Sequence, residues 1–181
     1  DLVLLYDFNE EQSESNGVRS LHASVYYTRL TQRLVSALTV QTRRGSLYDV
    51  DMRLRPSGKK GPLATKFKSF VDYQRSEAET WEHMSLTRAR VVAGDDKLKR
   101  TARDAIAAIL SLPRDKARLR KDVSDMRALI TKEKGGGDEF NLKLASGGLM
   151  DIEFIAQYLV LGGAAQNESL LVQATEDILL A

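Results

Sequence analysis

The segment 48–58, YDVDMRLRPSG, alternates between apolar and charged residues from its first position to Arg55. Successive side chains of a β-strand point to opposite faces. The alternation therefore predicts a strand over residues 46–55, with one apolar face and one charged face. The charged face carries two carboxylates and then two guanidinium groups, from Asp49, Asp51, Arg53 and Arg55. A salt-bridged strand exposed to water would show the same pattern, so this segment alone leaves a structural and a functional interpretation open.

The composition is typical of a soluble globular protein, because 43% of the 181 residues are hydrophobic and 29% are charged. The absence of cysteine excludes disulfides and thiolate metal sites, and it fits a reducing, cytoplasmic compartment. No apolar run is long enough to span a membrane, and no signal peptide is recognisable. The net charge of +2 is too small to indicate a nucleic-acid partner, and the basic run at 97–134 is expected to be a solvated helix face.

Patterns along the chain indicate a mixed α/β part, 1–93, followed by a helical part, 94–181. The apolar run after Asp1 predicts a buried strand at 2–6. Apolar residues at every fourth position predict an amphipathic helix over 21–40, through Tyr26, Leu30, Leu34 and Leu38. Further helices are predicted at 67–90, 96–110, 113–134, 149–161 and 168–180, with a flexible break at the glycines 135–137. Because the chain starts inside a strand, we expect its first domain to be truncated at the N-terminus. We also expect the helical domain to be incomplete at its C-terminus.

Asp1 and Asp51 are candidate metal ligands. If the strand at 2–6 pairs beside the strand at 46–55, both carboxylates could meet at one rim of the sheet. Mg²⁺ favours one or two carboxylates together with phosphates and water, and carboxylates from two neighbouring strands suit two-metal phosphoryl or nucleotidyl transfer. The guanidinium groups of Arg53 and Arg55 match phosphate oxygens in pairs.

Three strings extend this pattern: GSLYDVDMRLRPSGKKGPL, then FVDYQRSEAETWEHMSLTRARVVAGD, then LKLASGGLMDIEFIAQYLVL. In this order they resemble the bacterial glutamine synthetase adenylyltransferases, from Asp1 to about Leu161. The resemblance implies an α+β protein with the DNA polymerase beta-like nucleotidyltransferase fold, in which helices flank a small mixed sheet. The nucleotidyltransferase domain would span 1–93, and a helical bundle domain would span 94–181.

The resemblance also implies roles for individual residues. Asp1 matches the second aspartate of the family's metal pair and Asp51 matches its third carboxylate, so both would be catalytic and would bind Mg²⁺. The first aspartate would precede this chain, so we expect the chain alone to have little or no transferase activity. Residues expected to bind the substrate ATP are Arg53, Arg55, Ser57 and Gly58 in the first domain, and Lys143, Gly147 and Gly148 in the second. Gly147 and Gly148 could offer backbone N–H groups to an anion. The roles of Asp151, Glu153 and His83 stay open.

The implied activity is transfer of AMP from ATP to a tyrosine of glutamine synthetase, which regulates nitrogen assimilation. The sequence around His83 is more similar to that of the C-terminal, adenylylating module of these bifunctional enzymes. One alternative is the module that removes AMP by phosphorolysis, and another is a non-catalytic fragment that only binds regulatory partners. Glutamine synthetase and a PII signalling protein are the partners that the resemblance implies. An RNA-binding helical protein would rest on the basic run at 97–134 alone.

Overall fold

The computed structural model describes residues 1–135, 140–172 and 174–181. The chain divides into two compact units, Asp1–Glu77 and Ala78–Ala181. The predicted boundary, between residues 93 and 94, lies further along the chain. The difference arises because the helix at Thr80–Leu86 packs on helices of the second unit. The functional assignment of the two domains stays a prediction.

The first unit is a two-stranded parallel sheet with helices packed on it. Strand β1, Leu4–Tyr6, pairs with β2, Ala64–Lys66, in a register that places Leu4 beside Ala64 and Tyr6 beside Lys66. Helices α1, Ala23–Thr39, and α2, Phe67–Ser76, contact β2. The strand predicted at 2–6 and the helix predicted at 21–40 are confirmed. The mixed α/β character is confirmed as well, although the sheet in the described residues is parallel rather than mixed.

Helix α1 buries a different face from the one that its apolar periodicity marks. Tyr26, Leu30 and Leu34 are 44%, 48% and 41% exposed, whereas Ala23 and Thr31 are buried. The contact with β1 comes from Tyr27, whose ring stacks on that of Tyr6 with 4.6 Å between centroids. The fourfold spacing therefore predicts the helix correctly, but the apolar stripe lies on the solvent side of this unit.

The strand predicted over residues 46–55 is wrong, since this segment consists of turns and irregular backbone. Among the described residues, two backbone bonds tie it to distant parts of the chain: Leu2 donates to the Asp51 carbonyl at 2.8 Å, and Tyr48 donates to the Leu38 carbonyl at 3.0 Å. A third joins it to the loop that follows, where the Gly58 N–H donates to the Arg55 carbonyl at 2.8 Å. Local bonds replace the ladder, because the Asp51 carboxylate accepts the Arg53 N–H at 2.8 Å. Side chains that bond to nearby backbone compete with sheet formation in this way.

Strand β2 was not predicted, because three residues are too short to show a period of two. The single helix predicted over 67–90 is divided into α2 and a second helix, α3, Thr80–Leu86. The break is fixed by a capping box in which the side chains and backbone N–H groups of Glu79 and Glu82 bind one another reciprocally.

The regular secondary structure in the described part of the second unit is helical. Helix α3 is followed by α4, Asp96–Leu110, α5, Lys116–Lys134, α6, Leu149–Gly163, and α7, Thr175–Leu180. These bounds confirm the helices predicted at 96–110, 113–134 and 149–161. The helix predicted at 168–180 is instead a 3₁₀ turn, Glu168–Leu170, followed by α7. The break predicted at 135–137 lies mostly outside the described residues.

The core of the second unit forms where α6 packs against α3, α5 and α7. Its most buried apolar residues are Met84, Ile109, Leu110, Leu119, Ala156, Val160, Leu161, Ala164 and Ile178. Asp95 and Asp115 cap α4 and α5 by accepting first-turn N–H groups. In the described ranges, no helix combines the length and the apolar character needed to cross a bilayer.

Gly148, the residue immediately before helix α6, has no room for a side chain. A Cβ atom added at Gly148 would lie 2.6 Å from the Leu142 carbonyl oxygen and 2.9 Å from that of Ala145. We expect Gly148→Ala to lower the free energy of unfolding of this unit by about 1–3 kcal/mol, since the backbone must shift. Urea unfolding followed by the fluorescence of Trp81, the single tryptophan, measures the change.

Gly162→Ala in the same helix is the matched control. Its added Cβ would lie 3.6 Å from a methyl of Leu119, an ordinary contact, so stability should be unchanged or rise by up to about 1 kcal/mol. Equal stability of the two variants would contradict the role assigned to Gly148.

Candidate functional site

Asp51 lies beside the start of the chain in the first unit. The backbone bond from Leu2 to the Asp51 carbonyl brings residues 1 and 2 next to residue 51, so the structure brings the two predicted ligands to neighbouring backbone positions without the predicted strand. Asp1 is exposed, and the Asp51 side chain is 33% exposed. No three potential ligands from His, Cys, Asp and Glu gather at one point in the described residues. Two carboxylates nevertheless fit Mg²⁺, which fills its remaining positions with phosphate and water.

The Asp51 carboxylate is held by Arg53. The Nε of Arg53 donates to Oδ2 at 2.7 Å, a second guanidinium nitrogen contacts the same oxygen, and the Arg53 backbone N–H donates to Oδ1. These bonds favour the charged form of the carboxyl group and lower the pKa of Asp51 to about 2. Asp51 is therefore ionised at neutral pH, as a metal ligand must be. The Arg53 side chain is 69% exposed and remains accessible from solvent.

Arg55 binds its own loop. The residue is only 8% exposed, and its guanidinium group donates to the carbonyls of Met52, Lys59 and Gly61. The alternation in the sequence put Arg53 and Arg55 on one face, but the structure directs one to solvent and the other into the loop. That both bind phosphate stays a prediction, and the geometry gives Arg55 a structural role in the loop.

The loop around Ser57 and Gly58 is tightly wound. Ser57 has φ +59°, a left-handed conformation that is uncommon for serine, and Gly58 has φ +52°. A Cβ atom at Gly61 would lie 1.9 Å from the Pro56 carbonyl oxygen, so only glycine fits there. Because such backbone persists only when its surroundings over-determine it, the loop presents Ser57 in a fixed conformation.

Lys143, Gly147 and Gly148 lie in the second unit, in the turn that precedes α6. Lys143 is exposed. The Gly147 N–H donates to Oδ2 of Asp151 at 2.6 Å, and the Gly148 N–H donates to the Ala145 carbonyl at 2.9 Å. In this structure both glycine N–H groups bind the protein itself, so the anion-binding role suggested for them has no free donor here.

Asp151 and Glu153 have different partners. Asp151 binds Arg127 of α5, and Glu153 binds Arg88 at 3.0 Å. Two positions apart on a helix place side chains about 200° apart, so separate partners follow from the geometry that the sequence predicts. The Arg127 side chain and the Gly147 N–H lower the pKa of Asp151.

His83 and Arg114 form a buried contact that the sequence did not indicate. His83 is 6% exposed, and its Nδ1 lies 3.0 Å from a guanidinium nitrogen of Arg114. Arg114 also donates to the Ile109 carbonyl, and burial lowers its pKa. Arg114 and Arg127 were both missed because they belong to the basic run that predicted a solvated face. No local pattern separates these two arginines from their exposed neighbours.

The first unit is mixed α/β and carries the Asp51–Arg53 pair and the tight loop at Ser57 and Gly58. The second unit is helical. The family profile of glutamate-ammonia ligase adenylyltransferases matches residues 1–105. The chain belongs to this family, which confirms the resemblance found in its motifs.

Curated relatives extend the match over nearly the whole chain. It is 53% identical over 175 residues to a bifunctional glutamine synthetase adenylyltransferase/adenylyl-removing enzyme of Rhodopseudomonas palustris (strain HaA2), covering 97% of this chain and 18% of the relative. Enzymes of the same description from Xanthobacter autotrophicus and Rhizobium meliloti are 52% and 55% identical over 99% and 92% of the chain. The chain spans about a fifth of the length of these relatives, 18% and 17% for the last two.

Removing the Arg53 side chain should raise the pKa of Asp51. Arg53→Met deletes the largest cause of the low value, so the pKa should move from about 2 towards 3.8. Because the folded pKa lies below the unfolded one, the pair stabilises the fold above pH 3.8, and this contribution is lost as the pH falls through about 2. Carboxyl ¹³C NMR of Asp51 against pH measures the midpoint.

Arg44→Met is the matched control, since Arg44 is exposed and its backbone N–H donates to Oγ1 of Thr42. This variant should leave the Asp51 midpoint in place. An unchanged midpoint in Arg53→Met would exclude the guanidinium group as the cause of the low pKa.

Proposed function

We propose that the chain is part of a nucleotidyltransferase that transfers AMP from ATP to a tyrosine of glutamine synthetase. The relatives named as bifunctional glutamine synthetase adenylyltransferase/adenylyl-removing enzymes are more than 50% identical to the chain. The observation in the structure that supports the proposal most directly is the Leu2–Asp51 backbone bond, since it makes Asp51 a backbone neighbour of the residue that follows Asp1. A small sheet flanked by helices is consistent with the nucleotidyltransferase fold of the DNA polymerase beta kind.

In this proposal Asp1 and Asp51 hold Mg²⁺. When bound, the ion neutralises triphosphate charge and favours deprotonation of the attacking hydroxyl. Arg53 is exposed and adjacent to Asp51, so its guanidinium group can exchange the carboxylate for a phosphate. Arg55 fixes the loop that carries Ser57 and Gly58 through its three carbonyl partners.

Lys143 would bind a phosphate as an exposed point charge. The glycines 147 and 148 would then act by shaping the turn around it, because their N–H groups already have partners.

Removal of AMP by phosphorolysis is the second candidate. The relatives are described as both adenylyltransferase and adenylyl-removing enzymes, and one nucleotide site with Mg²⁺ suits either direction. Under both candidates glutamine synthetase is the protein partner, a PII protein is the proposed regulator, and the compartment is the cytoplasm.

Binding of ATP by the chain should depend on Mg²⁺ and on Asp51. We expect Asp51→Asn to weaken Mg²⁺–ATP binding by about tenfold or more, because it replaces a charged carboxylate ligand with a neutral amide. Isothermal titration calorimetry with and without Mg²⁺ measures the effect.

Asp49→Asn is the matched control for this experiment. It removes the same charge two residues away, at an exposed position that is not assigned to the metal, and should leave the affinity nearly unchanged. Equal losses in both variants, or binding that ignores Mg²⁺, would overturn the proposed site.

The direction of the reaction needs a separate assay. It uses a longer protein that contains this chain, with and without Asp51→Asn, because the chain alone is expected to have little or no transferase activity. Unmodified glutamine synthetase with [α-³²P]ATP tests transfer, and adenylylated glutamine synthetase with orthophosphate tests removal. Loss of glutamine synthetase labelling in Asp51→Asn supports the first candidate, and loss of the release of ADP, which phosphorolysis of the AMP–tyrosine bond must form, supports the second. A chain that binds glutamine synthetase but neither ATP nor Mg²⁺ would be a non-catalytic interaction module.

A further inference from the structure

Arg127 is at the centre of a network that links α5 to the turn before α6. Its Nε donates to Oδ1 of Asp151, one terminal nitrogen donates to Oγ1 of Thr131 at 2.6 Å, and the other donates to the Leu144 carbonyl at 3.1 Å. All three guanidinium nitrogens therefore bind different groups. The planar fork of arginine allows this, and the single ammonium of lysine would not reproduce it.

Asp151 completes the network from the other side. While Oδ1 accepts from Arg127, Oδ2 accepts the Gly147 N–H at 2.6 Å. The side chains of Arg127 and Asp151 are only 18% and 26% exposed. The two oxygens bind groups from different segments, α5 and the turn before α6, so the bonds of Asp151 tie these segments together.

The turn that these residues hold is closely wound on itself. Oδ1 of Asn141 accepts the N–H groups of Lys143 and Leu144, and the Leu142 carbonyl accepts the Leu149 N–H at 2.8 Å. Gly147 adopts φ +77°, a conformation that favours glycine. Lys143 lies within this turn, so its backbone position depends on the bonds at either end.

We propose that Asp151 and Arg127 are positioning residues, which fix the turn 141–148 and thereby the exposed Lys143. The inference rests on the proposed function in one respect, the assignment of Lys143 to a nucleotide phosphate. Asp151 acts through Arg127 and Gly147 without touching the nucleotide. The bonds among Arg127, Asp151 and Gly147 are called the brace below. In this proposal the brace fixes the turn that carries a phosphate-binding lysine, and the motif GGLMD supplies two of its three residues.

The first experiment tests the brace itself, by amide hydrogen exchange followed by NMR on the whole chain. Asp151→Asn replaces one of the two carboxylate oxygens with an NH₂ group, so Arg127 and Gly147 can no longer each bond to an oxygen of their own. We expect the Gly147 amide to exchange at least about fivefold faster, since its acceptor is lost or shared with Arg127. Glu153→Gln is the matched control, because it removes a charge from the same helix but pairs with Arg88, and the Gly147 amide should not change.

A milder variant covers the case in which Asp151→Asn does not fold. Thr131→Val keeps the shape of the side chain and removes only one of the acceptors of Arg127. It should speed Gly147 exchange by about twofold, in the same direction as the larger change. Unchanged Gly147 exchange in the folded variants would overturn the inference.

The second experiment tests whether the brace acts through Lys143. Mg²⁺–ATP affinity is measured for Asp151→Asn, Lys143→Met and the double variant. We expect each single change to weaken binding by about three- to tenfold, and the double variant to be no weaker than Lys143→Met, because coupled residues are not additive. Losses that multiply in the double variant would show that Asp151 does not act through Lys143, and would overturn that part of the inference.

The same two experiments separate the inference from the proposed function. If the wild-type chain does not bind Mg²⁺–ATP, the proposed nucleotide site fails, and the exchange of Gly147 still decides whether Asp151 and Arg127 fix the turn. If binding occurs, Lys143→Met keeps full affinity and Gly147 exchange rises in Asp151→Asn, the brace stands but does not serve the nucleotide.

Discussion

A guanidinium group that is withdrawn from water must find hydrogen-bond acceptors within the protein. This constraint organises the loop at 52–61, where Arg55 is buried and its donors bind three backbone carbonyls. It also organises the turn at 141–148, where Arg127 binds a carboxylate, a hydroxyl and a carbonyl. In both places the arginine sets the path of the backbone, and the glycines make that path possible, because a Cβ at Gly61 or Gly148 would meet a carbonyl oxygen.

In each of the two motif segments, some residues have a structural role and others have a proposed binding role, even where the side chains are of the same type. In RLRPSG, Arg55 holds the loop while Arg53 stays largely exposed beside Asp51. In the LKLASGGLMD segment, the glycines and Asp151 hold the turn while Lys143 faces solvent. Charge alone does not distinguish these roles in a sequence, since burial and the choice of acceptor depend on how the backbone turns.

The sequence predicts the helices well because an apolar residue in nearly every turn indicates a helix, whatever that helix packs against. Helices α4, α5 and α6 are examples. It fails at residues 46–55, where alternation predicts a strand but Asp51 and Arg55 bond to nearby backbone groups instead. The short β2 leaves no periodic signal. For the candidate site, strand pairing suggested that Asp1 and Asp51 are neighbours, and one backbone bond joins residues 2 and 51. Arg127 could not have been found, because its partners lie 4, 17 and 24 residues away.

The two acidic–basic pairs differ in how easily each can change partners. Arg53 is mostly exposed and Asp51 is one-third exposed, so water can solvate both groups when they separate, and such surface pairs contribute little to stability. The Arg127 side chain is far less exposed than that of Arg53, and Asp151 is slightly less exposed than Asp51. Arg127 and Asp151 are also each held by a further bond within the protein, so separating them is more costly. An exchangeable pair suits a place where a cation and a phosphate must bind, because the protein gives up little when the ligand takes over. A pair that is costly to separate suits a place where the backbone must not move. This contrast agrees with the binding role proposed for Asp51 and with the supporting role proposed for Asp151.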